Sequence, residues 1–217
     1  MNKFSKLSTA LAVMALFAAS SASAALTVTI GGDGNPSGTY GEKSIFLGAV
    51  TTDFNASLIN PTGYTGGGVV NGTNNGFYAS PPSDNTNYFS VGPSTSTPGV
   101  VAFAGLSSYF GYYGGSPDAF NSVEFYNGAS LVQSFNGVTL AGIASVAANG
   151  DRSVGSFWNF AANSPVDFFD SVRFISTRNA FETDNHAVLT VPEPETYAMM
   201  LAGLGLMGFV ARRRKNG

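Results

Sequence analysis

With one histidine and no cysteine, the chain leaves most of its chemistry to carboxylates and tyrosines. His186 is the residue that a Ser-His-Asp triad would have to use. It lies in a strand pattern next to Asp184, and no G-x-S-x-G elbow occurs, so it reads as a surface strand histidine. An ordinary zinc site lacks its ligands. Glycoside hydrolysis needs two carboxyls facing each other across a cleft. The pairs offered by the spacing are Asp118 with Glu124 and Glu182 with Asp184. Calcium takes oxygens from loop Asp, Asn and carbonyl groups. Asp33 and Asn35 follow the first strand, and Asp184 and Asn185 sit in the last. If those strands are neighbours, Asp33 and Asp184 can share a structural calcium; ordinary Asx turns account for the same residues. No other cofactor is implied. The cluster Tyr109, Phe110, Tyr112 and Tyr113 suits stacking against sugar rings. Tyr112 and Tyr113 with Asp118 and Asn121 form the candidate glycan contact. Strand alternation puts Tyr109 and Tyr113 on one face and Phe110 and Tyr112 on the other, so one face is expected in the core.

The elements that must position these groups lie between two unusual ends. At the N-terminus, Lys3 and Lys6 precede an apolar run from Leu7 to Ala19, and Ala22-Ser23-Ala24 is an A-x-A-type cleavage site. Residues 1–24 therefore read as a signal peptide cut after Ala24. At the C-terminus, Pro192-Glu193-Pro194 enters an apolar stretch over 197–211, closed by Arg212, Arg213, Arg214 and Lys215. As a transmembrane helix that stretch spans roughly 22 Å, short of the ~20 residues of a comfortable crossing. The basic stop places the C-terminus in the cytoplasm, and the prolines hold the entry extended.

Residues 25–190 remain as one domain. They keep Lys43, Arg152, Arg173 and Arg178 against eleven acidic residues, a net charge of −7. Such a surface has no basic stripe for nucleic acid. The absence of cysteine excludes disulfides and thiol catalysis.

Short alternating segments separated by Gly and Asn turns recur along the domain. Strands are expected at 26–30, 44–52, 87–91, 100–104, 106–113, 122–126, 130–135, 138–146, 153–160, 168–176 and 180–191. Residues 54–59 continue as strand or loop. Asn127-Gly128 marks a hairpin. Residues 60–99, dense in Gly, Asn, Pro and Ser, read as a long surface loop with one short strand. No amphipathic helix is apparent between the two ends. The pattern is all-β, an antiparallel β-sandwich or jelly roll. The strand at 186–189 is expected to pair beside 26–30.

Pro192-Glu193-Pro194, the apolar helix and the Arg cluster together resemble the PEP-CTERM sorting signal of Gram-negative bacteria. The resemblance implies recognition by an exosortase, removal of the tail near the motif, transient anchoring in the inner membrane, and association with exopolysaccharide or biofilm matrix at the cell surface. Residues 98–191, with Ser108-Tyr109-Phe110-Gly111-Tyr112-Tyr113 and Ala180-Phe181-Glu182-Thr183-Asp184-Asn185, are similar to a family of exosortase-dependent surface proteins. That likeness implies a secreted β-domain without assigned enzyme activity. The expected role is structural or adhesive; the alternatives are a carbohydrate-binding module and a matrix glycosidase.

Overall fold

The structure, a computed structural model, describes residues 25–34, 39–115, 117–192, 199–204, 206, 207 and 212. Eleven strands form one antiparallel sheet that curls so that its two halves face each other. They are β1 (Leu26–Ile30), β2 (Val50–Thr52), β3 (Tyr64–Thr65), β4 (Gly68–Asn71), β5 (Asn87–Val91) and β6 (Gly99–Gly115), then β7 (Asn121–Asn127), β8 (Ser130–Asn136), β9 (Gly155–Ala162), β10 (Phe169–Ser176) and β11 (Phe181–Thr190).

The 17 residues of β6 belong to both halves. Its first part pairs with β10 and β3, and β10 continues through β7 to β8. Its second part lies between β9 and β11. Beyond them stand β1 on β9, β2 and β5 on β11, and β4 on β5.

Aromatic rings fill the space between the halves. Phe125 of β7 meets Phe160 of β9 at 4.9 Å, and Tyr112 of β6 meets Phe174 of β10 at 5.3 Å. Each such ring contributes roughly 1.5–3 kcal/mol by burial. Val172 and Phe174 enter this core while Arg173, between them, lies over the Tyr126 ring, as the pleat demands.

The second half of β6 is buried on its outer face too. Tyr109, Tyr113, Phe157 and Ala187 form a second cluster there. A covering segment over residues 39–49 seals it. Phe46 stacks on Tyr109 at 4.1 Å, Ser44 shares a hydrogen bond with the Tyr109 hydroxyl, and Glu42 accepts from the Phe157 N–H. Gly111 lies between these rings. A Cβ on it would come within 2.5 Å of both the Phe157 ring and the Tyr109 hydroxyl.

Several expectations are corrected. Residues 137–144 form a helix, α1, not a strand. The Asn136 side chain caps it by accepting from the Thr139 N–H, and its GVTLAGIA sequence is too uniformly apolar to display a helical period. The two strands expected at 100–104 and 106–113 are the single β6. Residues 44–49 alternate but make no ladder, because the Ser44 hydroxyl accepts the Phe46 N–H and turns the chain. β1 pairs with β9, not with the last strand. Residues 60–99 contain three strands, and Tyr88, Phe89 and Val91 are fully buried.

Gly111→Ala is expected to lower stability by about 1–3 kcal/mol through overpacking. The denaturant midpoint checks it; an unchanged midpoint would show that the outer face of β6 is loosely covered.

Candidate functional site

A cleft of about 210 Å³ opens at the end of the curled sheet where β11 begins. Residues 76–82 form one wall, the 117–121 turn and Gly150–Arg152 form others, and Asn179–Glu182 closes it, with Tyr112 also in the lining. The walls are tied together. Glu182 Oε1 accepts from the Ala79 N–H at 2.8 Å, and Asn179 Nδ2 donates to the Gly76 carbonyl at 3.0 Å. Asn121 donates to the Ala180 carbonyl and accepts from the Ser176 hydroxyl. Gly150, at φ +63°, lies against the Asp118 carboxylate, where a Cβ would stand only 2.6 Å from Oδ1. Phe77 leaves half its surface exposed at the rim.

Three carboxyls line this cleft. Asp151 is exposed and accepts from the Ser153 N–H and hydroxyl, and the other two, Asp118 and Glu182, are shifted by burial. Burial pushes Glu182 up to about 7; the Ala79 N–H opposes the rise, and the Asp118 charge adds to it. Burial raises Asp118 as well. Near neutral pH Glu182 therefore carries its proton part of the time. It can donate to an oxygen as well as accept from a hydroxyl. A raised carboxylic acid beside a second carboxylate is also what an acid-catalysed glycosidase needs.

Neither carboxylate pair read from the spacing is brought together here. Glu124 is on β7, accepting from the Tyr126 hydroxyl, and does not line the cleft. Asp184 is only two residues from Glu182 on β11, but it is fully buried beside Asp84. The pair that does form, Asp118 with Glu182, is separated by 64 positions in the chain, which local spacing cannot reveal.

Of the candidate glycan contacts, Tyr112, Asp118 and Asn121 line the cleft and Tyr113 does not. Tyr112 and Tyr113 are 1% and 3% exposed, so neither presents a ring face for stacking. Tyr113 points to the opposite face of the sheet and donates its hydroxyl to the Pro82 carbonyl. The sugar-stacking platform expected from this pair is thereby corrected: both faces of the strand are covered.

His186 is a core residue and not a surface one. It stacks on Phe174 at 5.1 Å, its Nδ1 meets the Tyr64 hydroxyl, and its Nε2 meets the Thr183 hydroxyl. Burial holds it neutral, lowered to about 3. Asp33 is exposed and accepts from the Lys43 N–H; Asp184 instead lies beside Asp84, so the two aspartates expected to share calcium have different partners.

The domain's last backbone tie is the Val191 N–H to the Leu106 carbonyl. Pro192 beyond it is exposed. Residues 199–204 are helical, and Met199, Met200, Leu201, Leu204, Leu206 and Met207 are exposed. Among the described residues no helix is long and apolar enough to cross a membrane. Arg212 is helical and exposed. Ala22, Ala24, Asn35, Glu193, Pro194, Arg213, Arg214, Lys215 and much of the 197–211 span lie outside the described residues.

Residues 190–215 match the family described as the PEP-CTERM protein-sorting motif. No curated protein and no solved structure matches the chain.

The Glu182 shift has a signed consequence. Its folded value of about 7 exceeds its unfolded value of 4.5, so its penalty is absent below pH 4.5, grows as pH rises, and is complete above about 7. Glu182→Gln keeps an acceptor for Ala79 and cannot ionise. It is expected to stabilise the protein by about 1–3 kcal/mol at alkaline pH and to change little in acid. Equal effects in urea melts at both pH values would rule out the shift.

Proposed function

We propose that this is an exported surface protein whose C-terminal segment is read and processed by an exosortase. Its β-sandwich or jelly-roll domain then serves a non-enzymatic structural or adhesive role in the exopolysaccharide matrix. The single observation that carries this reading is the sorting-motif match at residues 190–215, which begins where β11 ends. The arrangement suits the task. The domain closes at Val191, Pro192 is exposed just beyond it, and the apolar side chains of residues 199–207 that are described lie exposed. An enzyme can grip such a tail without unfolding the cargo. In this reading, residues 1–24 direct export and are removed after Ala24. The 197–211 segment anchors the chain in the inner membrane for a time, with Arg212 to Lys215 on the cytoplasmic side.

Intact mass of the protein from cells with and without the exosortase tests this. A chain starting at Ala25 and shortened near Pro192-Glu193-Pro194 is expected only where the exosortase is present. A full tail in both samples would refute the sorting role.

The cleft supports a second reading, carbohydrate binding. Asp118 and a partly protonated Glu182 offer both donors and acceptors to hydroxyl groups, Asn121 ties the wall behind them, and Phe77 offers an exposed ring at the rim. The cleft is smaller than the ~300–1,000 Å³ of a drug-sized site, so it suits one sugar or the end of a chain. On a glycan array, Asp118→Asn and Phe77→Ala are expected to reduce retention roughly tenfold or more. Unchanged retention would remove the cleft from the reading. Release of reducing ends by wild type, lost in Glu182→Gln, would make the domain a glycosidase instead.

A further inference from the structure

Where β11 passes beneath the 39–49 cover, three buried side-chain oxygens have no hydrogen-bond partner: Asp84 Oδ2, Asp184 Oδ1 and Asn185 Oδ1. The three residues are 2%, 0% and 0% exposed. Leaving buried acceptors unpaired is costly, and charged ones most of all.

The three residues are held together by shared neighbours. The Thr86 hydroxyl lies 2.6 Å from Asp84 Oδ1 and 3.4 Å from Asp184 Oδ2, so the carboxyls approach each other across one hydroxyl. Tyr40 pairs with Asp84 through its backbone, and the Tyr40 carbonyl also accepts from Asn185 Nδ2 at 2.7 Å. That amide donates again to the Glu42 carbonyl at 2.9 Å. Both of its bonds therefore go to carbonyls, which identifies Oδ1 as the atom left over. The left-handed turn of the backbone at Asn185, φ 51°, coincides with the register shift that interrupts the β11–β6 ladder.

All three unpaired atoms are acceptors. A proton shared by the two aspartates gives a single donor and leaves the Asn185 oxygen unserved. Lys43, on the same segment, lies over the Tyr40 ring at 4.9 Å and bonds none of the three. A hard divalent cation answers several oxygens at once. Among the described residues no three His, Asp or Glu side chains gather as metal ligands, and the third ligand here is an amide, which calcium accepts and zinc does not favour.

We propose that Asp84, Asp184 and Asn185 bind one calcium ion through these oxygens, with water completing its shell. The ion would lock residues 39–42 and 83–86 onto β11, and so hold the cover over Tyr109, Tyr113 and Phe157.

The test uses the full-length chain stripped with EDTA, dialysed and titrated with CaCl2, reading bound calcium and the thermal midpoint. One calcium per chain is expected, with Kd roughly 10⁻⁵–10⁻³ M for a site of two carboxylates, and a midpoint that rises with calcium. Asp84→Asn and Asp184→Asn should weaken uptake at least tenfold, while Asp33→Asn should leave it unchanged. No calcium taken up by wild type at about ten times the upper Kd limit overturns the proposal. So does uptake lost in Asp33→Asn and kept in the other two. Uptake kept in full by folded Asp84→Asn and Asp184→Asn also overturns it, and absence of wild-type uptake does so whatever the variants show, so a variant that fails to fold does not shelter the claim.

Discussion

The fold depends on one strand that must be buried on both faces. Over its second half β6 carries Phe110 and Tyr112 into the main core and Tyr109 and Tyr113 onto the other side. A strand with aromatics on both faces cannot leave one of them to water without exposing several large rings. The 39–49 segment exists in its observed path because it meets that demand, with Phe46 laid flat on Tyr109 and Glu42 accepting from β9. Gly111 lets the rings close over the strand, and Gly41, at φ +66°, lets the cover pass over Tyr113.

The polar features follow from the strand beside it. β11 pairs with β6, β5 and β2, and it carries Glu182, Asp184, Asn185 and His186 in five consecutive positions. Glu182 faces the cleft at the strand's start. Asp184 and Asn185 sit in the register shift under the cover. His186 turns into the aromatic core. The same strand ends at Thr190, where the matched sorting segment begins. One element therefore joins the cleft, the buried oxygens and the exit of the tail.

The sequence was most readable where local chemistry decides. The β7–β8 hairpin follows from Asn127-Gly128, and β10 and β11 follow from alternation and turn residues. The sorting segment was legible because Pro-Glu-Pro, an apolar run and four cations stand in fixed order. What escaped was set by distant partners. Gly105 looks like a break between two strands, yet paired neighbours carry β6 through it. Residues 138–144 have strand-like apolar residues, but an asparagine cap and the packing of Leu140 and Ala141 make a helix. Asp84 lay in a stretch that reads as a solvated loop, and only the fold brings it to Asp184. Tyr112 and Tyr113 looked like a platform because no pattern in the sequence marks residues 39–49 as the cover over Tyr113, or the facing half of the sheet as the cover over Tyr112.

The domain's last backbone tie is at Val191, and the proposed sorting role requires a fold that is complete there. The most direct test is thermal unfolding of the polypeptide 25–192 beside the full-length chain, followed by near-UV circular dichroism. One cooperative transition at the same midpoint is expected in both, with the same aromatic signal. A lost or broadened transition in the shorter chain would contradict it and would show that the tail is part of the fold.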